Sequence, residues 1–316
     1  MKIPAGTFCP MIRSAVAAGV SQETHPDSAR TRLASDADRK LPDFIAVGPP
    51  RTATTWLHKV LRGHVSLPRI KETDFFGANF PRGFAWYRSH FRDPPAGRPM
   101  GEVCPKYFSS PEARERIGRY IPDCKIICTL RDPVQRLYSH YRFLRSRAWL
   151  GPVGIEEAVA VYQRRSNPGN MITASLYSTD VKAWQDRFGK GNVLVLLNDD
   201  LVGDEQKYLD QVCTFVGIPM IDLAHSQLLN RTVNARPNAP RSVWLARGAG
   251  ALRAFLRQHR VSALSERFEA LWNFCFSGGE KFAPLDPGLE ARLRDYFRPD
   301  VEALEELLQR DLSAWK

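Results

Sequence analysis

Short apolar runs set the frame of this chain. The stretch Asp43-Phe44-Ile45-Ala46-Val47-Gly48 stops at Gly-Pro-Pro and predicts a buried strand. Lys125-Ile126-Ile127-Cys128-Thr129-Leu130 stops at Arg131-Asp132-Pro133 and predicts a second. Val193-Leu194-Val195-Leu196-Leu197 stops at Asn198-Asp199-Asp200 and predicts a third. Between them the spacing turns helical. Thr54 to Arg62 carries Trp56, Val60 and Leu61. The segment from Pro133 carries Leu137, Tyr138, Tyr141, Phe143 and Leu144, with Asp132 placed to cap it and Pro133 suited to its first turn. Apolar runs separated by helical segments predict an α/β domain: a central, mostly parallel sheet with helices on its faces. Residues 242–275 predict basic helix, with Trp244, Leu245, Leu252, Phe255 and Leu256 as apolar positions. The end predicts two helices, one opened by Asp286-Pro287 and one striped by Val301, Leu304, Leu307 and Leu308. Residues 1–40 show no sustained periodicity and predict a loose leader, which leaves 41–316 as one domain.

Charge narrows the partners. Lys+Arg 45 against Asp+Glu 34 gives +11 over 316 residues, a surplus that favours anionic partners. No helix-turn-helix, zinc or aromatic-basic RNA motif accompanies it, so nucleic acid is not expected. No stretch approaches the roughly 20 consecutive apolar residues of a transmembrane helix. Six cysteines are spread out without a C-x-x-C pair, and the histidines lack metal spacing, so no metal is expected. Reduced thiols fit a cytoplasmic setting.

The loop after the first strand reads Gly48-Pro49-Pro50-Arg51-Thr52-Ala53-Thr54-Thr55 and runs into a helix. Amides at a helix start, the helix dipole and the Arg51 charge together suit an anionic phosphate. The hydroxyls of Thr52, Thr54 and Thr55 add donors. A nucleotide triphosphatase would carry G-x-x-x-x-G-K-S/T, and here Ala53-Thr54 stand at the Gly-Lys positions. The loop alone equally fits an ordinary strand–turn–helix connection. A second element bears on it. Arg131 ends a strand and Ser139 lies about two turns into the next helix, so both can converge on one phosphate, although taken alone the pair fits a solvated Arg and a helix-surface Ser better.

GPPRTATTWL at 48–57 with LRDPVQRLYSHY at 130–141 resembles the paired cofactor loops of sulfotransferases that use 3′-phosphoadenosine-5′-phosphosulfate, PAPS. Three further stretches resemble the carbohydrate-type branch, which includes the heparan sulfate enzymes. Lys71-Glu72-Thr73-Asp74-Phe75-Phe76 is similar to its acidic catalytic segment. Gly101 to Phe108 is similar to its E-x-x-P-x-Y stretch. Leu285-Asp286-Pro287 and the closing Asp311 to Trp315 look like the tail of many bacterial members. The resemblance implies a P-loop-like sulfotransferase fold, with PAPS as co-substrate and a glycan or other hydroxyl- or amine-bearing acceptor. It assigns Arg51 to the phosphosulfate, with Pro50, Thr52, Ala53, Thr54, Thr55 and backbone amides around the 5′-phosphate. It assigns Arg131 and Ser139 to the 3′-phosphate, Trp56 to the adenine and Glu72 to general base, with Lys71 beside it. Trp56 also suits the core side of an amphipathic helix.

The chain departs from the family at three positions. The cytosolic branch has Lys at Arg51 and usually Gly at Ala53. The carbohydrate branch often has Lys at Val103, for which Lys71 and Lys106 are the two possible substitutes. Arg236 and Arg241 fall in a late basic loop that often covers the cofactor in this superfamily. Arg136, Arg142, Arg145 and Arg147 read as a solvated basic face or as a guide for an acidic acceptor, with His140 facing solvent. Loops 77–100 and 148–180 are the expected acceptor walls. A nucleotide phosphotransferase and a non-catalytic polyanion-binding module are the competing readings.

Overall fold

The computed structural model describes residues 41–91, 98–164, 170–224, 238–240, 242–246, 248 and 279–316. The expected leader and most of the expected helical segment at 242–275 lie outside the described residues. Four strands form one sheet: β1 (Phe44–Ala46), β2 (Gly101–Val103), β3 (Lys125–Leu130) and β4 (Val193–Leu197). Their order is β2-β1-β3-β4 and every neighbouring pair is parallel. Each expected apolar run carries a strand. The fourth strand, β2, has a glutamate at its centre, so no apolar run marks it in the sequence.

The helices follow in chain order: α1 (Thr54–Leu61), α2 (Gly83–Arg88), α3 (Pro111–Tyr120), α4 (Pro133–Ser146), α5 (Ile155–Gln163), α6 (Ser178–Phe188), α7 (Asn198–Gly203), α8 (Glu205–Val216) and α9 (Pro287–Leu308). Phe44, Ala46, Val103, Ile127 and Leu196 point to one face of the sheet. There they pack on Trp56, Leu57, Val60 and Leu61 of α1 and on Tyr208, Leu209, Val212 and Cys213 of α8. Alternation sends Ile45, Ile126 and Cys128 to the other face, where α6 contacts β3 and β4. On α4, Asp132 caps the first turn by accepting from Gln135 N–H at 2.8 Å, and Pro133 occupies N1, as the sequence predicts.

The C-terminal expectation needs correction. One continuous helix, α9, replaces the two expected. It runs through Pro299, which forfeits one helical N–H bond. Leu289, Leu293, Phe297, Val301 and Leu304 form a single buried stripe across that position, and this shared packing holds both halves in one helix.

The strand order places a crevice. The chain leaves β1 for β2 on one side and leaves β3 for β4 on the other. The loops after β1 and β3 therefore diverge and open a cleft beyond the strands' carboxyl ends, where open α/β sheets bind ligands. Gly48 lets these two loops start in contact. A Cβ there would meet Thr129 Oγ1 at 2.0 Å and the Thr129 carbonyl oxygen at 2.3 Å. Gly48→Ala should therefore destabilise the fold by about 3 kcal/mol, the upper end of overpacking. Denaturant unfolding measures it, and a loss near zero would contradict the close approach.

Candidate active site

The loop from Gly48 to Ala53 is pinned from two sides. Thr52 is fully buried, donating its hydroxyl to Pro49 O at 2.7 Å and lying 2.8 Å from the Thr129 hydroxyl of β3. From α4, the buried Arg136 donates to Pro50 O at 3.2 Å. Arg136 also donates to Ser175 Oγ at 2.7 Å and to Met171 O, so its guanidinium ties three segments together. The pinned loop is strained. Arg51 has φ 81° and Ala53 φ 69°, left-handed values that cost a non-glycine residue about 1–2 kcal/mol. Ala53 is the N-cap of α1 and supplies no side-chain cap. The amides that open α1 thus lack a local side-chain acceptor at that position, as suits an external anion.

Arg51 projects from this loop to the α4 side. It donates from Nε to Ser139 Oγ at 3.1 Å, and its guanidinium lies 5.2 Å from the centre of the Phe143 ring. Arg147 lies over the same ring at 5.3 Å. Burial first, then the charges of Arg131, Arg142, Arg147 and Arg136, pull the Arg51 pKa down to about 10. Every charge in that set is a cation. Arg131 is also lowered, chiefly by burial, with Asp132 and Tyr177 acting against it. The Tyr177 hydroxyl fixes the Arg131 backbone by donating to its carbonyl at 2.8 Å. Two distant sequence segments therefore concentrate positive charge at the crevice.

Lys71 and Glu72 reach the same loop from a third segment. Lys71 Nζ donates to Thr55 Oγ1 at 2.7 Å and pairs with Glu72 Oε1 at 3.0 Å. Both side chains are half-buried. Lys106, the other possible substitute for the lysine absent at Val103, pairs instead with Asp74 at 2.9 Å. Val103 itself is 1% exposed in the core. Of the two candidates, the contacts join Lys71 to the loop.

Several expected positions are placed differently. Trp56 is 4% exposed and edge-on to Tyr208 in the core at 5.7 Å, which leaves almost no ring surface for a base to stack on. The Thr52 hydroxyl is used to anchor the loop, and Thr54 is buried. Arg136 belongs to no solvated face, because its three backbone and hydroxyl partners are all internal. His140 turns inward, with Nδ1 at 3.3 Å from Arg136, and burial beside Arg136 and Arg51 holds its pKa well below the usual range. Arg236 and Arg241 lie outside the described residues.

One buried polar group was not singled out from the sequence. Glu102, at the centre of β2, is fully buried. Its Oε1 accepts from Thr73 N–H at 3.0 Å and from Thr73 Oγ1 at 2.5 Å. Its Oε2 accepts from Tyr87 at 2.8 Å, and the Tyr107 hydroxyl lies 3.3–3.4 Å from both oxygens. The signal in the sequence was the E-x-x-P-x-Y stretch from Glu102 to Tyr107, and what its glutamate does shows only when Thr73 and Tyr87 are brought near it.

The sequence pattern of the sulfotransferase domain family matches residues 41–239. The chain is 26% identical over 294 residues to human bifunctional heparan sulfate N-deacetylase/N-sulfotransferase 3, covering 86% of this chain and 30% of that protein. It is 29% identical over 196 residues to mouse heparan sulfate glucosamine 3-O-sulfotransferase 3A1, covering 60% of this chain and 49% of that protein. The chain spans about a third to a half of the length of these two relatives. A sulfotransferase structure from Alicyclobacillus acidocaldarius superposes with a TM-score of 0.62 at 23% identity, over 87% of this chain and 98% of that one, and shares the fold.

The Glu102 cluster predicts a pH dependence of stability. Burial, opposed by the hydrogen bonds from Thr73, Tyr87 and Tyr107, pushes its pKa from 4.5 up to about 7. A carboxyl held protonated more tightly in the fold than in the unfolded chain stabilises most below its unfolded pKa, and that contribution is lost as pH rises through the folded one. Unfolding free energy should therefore fall by on the order of 3 kcal/mol from this group between about pH 4.5 and pH 7. In Glu102→Gln that component should vanish. Denaturant unfolding across this range checks it, and parallel profiles for the two proteins would contradict it.

Proposed function

We propose that this chain, which belongs to the sulfotransferase domain family and is a transferase of that class, takes its sulfuryl group from PAPS and passes it to a glycan hydroxyl or amine. The observation that carries the donor half is the charge around Arg51. Burial first, and then four neighbouring arginines, lower its pKa, and it hydrogen-bonds Ser139 of α4 from the loop that opens α1. Such a site is incomplete without a multiply charged anion. The donor set fits PAPS, with phosphates at both its 3′ and 5′ ends. The acceptor half rests on the heparan sulfate relatives, which are named for N- and 3-O-sulfation of that glycan.

The family resemblance and the contacts around the loop support the following roles. Arg51, with Thr55 and the amides at the start of α1, would hold the phosphosulfate end. Arg131 and Ser139 would hold the 3′-phosphate, and the Arg51–Ser139 bond links the two subsites. Bound PAPS supplies an activated sulfuryl group on a good leaving group. Glu72 would take the proton from the acceptor as its oxygen or nitrogen bonds to sulfur. Lys71 holds that carboxylate beside Thr55. Arg51 would offset charge appearing on the departing phosphate oxygen. The catalytic domain is residues 41–316 on this reading.

Labelled-sulfate transfer from PAPS, screened over desulfated heparan sulfate, other glycans, phenols, lipids and peptides, tests the function. Label should enter a glycan. Transfer confined to a non-glycan class would overturn the acceptor half. Glu72→Gln should lose about 100-fold or more in turnover, with affinity for 3′-phosphoadenosine-5′-phosphate, PAP, within about twofold. Arg51→Ala should weaken both PAP binding and turnover, and Arg51→Lys should recover part of each. Full turnover in Glu72→Gln would remove it as the base.

A further inference from the structure

The segment that carries Glu72 is strained and has little regular structure of its own. Glu72 has φ 63° and Asp74 has φ 52°, two left-handed non-glycine residues on either side of Thr73. Residues in such conformations persist only where the surroundings over-determine them. Asn79 donates to Thr73 O at 2.8 Å, Lys106 pairs with Asp74 at 2.9 Å, and Arg116 donates to the Phe76 and Gly77 carbonyls at 3.0 Å. The buried anchor at Thr73, between the two strained residues, is Glu102. Glu102 takes both the backbone N–H and the hydroxyl of Thr73. The Thr73 hydroxyl also accepts from Phe75 N–H at 3.2 Å. Tyr107, which leans on both Glu102 oxygens, accepts from Phe76 N–H at 3.2 Å. Thr73 is thus fastened directly to the Glu102 carboxyl on the sheet, and Phe76 reaches it through Tyr107.

The aromatic packing closes this arrangement. Phe75 stacks on Tyr87 at 4.3 Å and 10°, and Phe76 meets Tyr107 edge-on at 6.0 Å. Tyr87 and Tyr107 are the two tyrosines bonded to Glu102. Four donors converge on the carboxyl: the Thr73 N–H and hydroxyl and the hydroxyls of Tyr87 and Tyr107. The position is isolated from solvent and linked through Thr73 to Glu72, which pairs with the lysine bonded to Thr55.

We propose that Glu102 is a positioning residue for Glu72, holding the strained 72–74 backbone so that the Glu72 carboxylate stays beside Lys71 and the α1 start. This inference rests on the reading of Glu72 as the base. Glu102 touches no substrate and acts only through the segment it fastens. Gln keeps its size and one acceptor, and replaces the other acceptor with a donor facing two hydroxyls. The hydrogen-bond pattern must then rearrange while the core volume is kept.

The test is a cycle of wild type, Glu72→Gln, Glu102→Gln and the double variant, assayed with PAPS and desulfated heparan sulfate, with PAP affinity measured alongside. Hydrogen exchange over residues 71–79 is read in the same four proteins. Glu102→Gln should lower kcat about 10-fold or more, as a small misplacement of a reacting group does. PAP affinity should stay within about twofold, and exchange over 71–79 should speed up. The double variant should be no slower than Glu72→Gln alone. Losses that multiply in the double variant, or unchanged exchange in Glu102→Gln, would overturn the positioning role and leave Glu72 as base. Full kcat in Glu72→Gln would instead overturn the base reading, and with it this inference. Should Glu102→Gln fail to fold, Thr73→Val replaces it in the cycle, because it removes the hydroxyl donor at constant volume, and the same outcomes decide.

Discussion

Positive charge held together against its own repulsion is the constraint around which this site is built. Arg51, Arg131, Arg136, Arg142 and Arg147 act on one another across the crevice, and the cations around Arg51 all depress its pKa. A fold keeps such a cluster only if other bonds fix each member. Arg136 is fixed by three internal acceptors, and Arg51 by Ser139 and the Phe143 ring. Arg147 lies over the same ring, so one phenyl group attracts both guanidiniums. An anion bound there would relieve the repulsion that remains and become part of the electrostatic balance of the domain.

The loop and the acidic segment share a second design feature. Each contains two left-handed non-glycine residues: Arg51 and Ala53 in one, Glu72 and Asp74 in the other. Each is fastened by a buried polar group on the neighbouring sheet, Thr129 for the first and Glu102 for the second. The Lys71–Thr55 bond then joins the two strained pieces. Strain is carried by loops, where reacting groups must point out of the fold, and the sheet beneath supplies the rigid anchors. The Gly48 contact with Thr129 belongs to the same plan, since only a glycine lets the loop leave β1 so close to β3.

Much of this was legible in the order of residues. The apolar runs at 43–48, 125–130 and 193–197 each hold a strand, and Asp132-Pro133 opens α4 as its chemistry requires. Arg51 and Ser139 were assigned to one cofactor from separate motifs, and they are hydrogen-bonded. What could not be read was what lies beneath the surface pattern. Trp56 sits on a helix face that serves either a ligand or a core, and the partner that decides it, Tyr208, is remote in sequence. Arg136 reads as surface because arginines usually are, and its acceptors at 50, 171 and 175 come from other segments. β2 hides because a buried glutamate breaks the apolar pattern, and only Thr73, Tyr87 and Tyr107 make that burial tolerable. In the C-terminal helix the Asp286-Pro287 cap and the apolar stripe from Val301 stand on either side of Pro299, and only shared packing shows that they belong to one helix.

A thermal-shift comparison of PAP, AMP and magnesium–ATP at equal concentration tests the central claim most directly. A ligand at 100 times its Kd adds about 2.7 kcal/mol to the stability of the native state. Two phosphate subsites joined through Arg51 and Ser139 predict a large rise in Tm with PAP, a small one with AMP and no advantage for magnesium–ATP. Equal shifts with all three ligands, or the largest with magnesium–ATP, would contradict a site built for a nucleotide with phosphates at both its 3′ and 5′ ends.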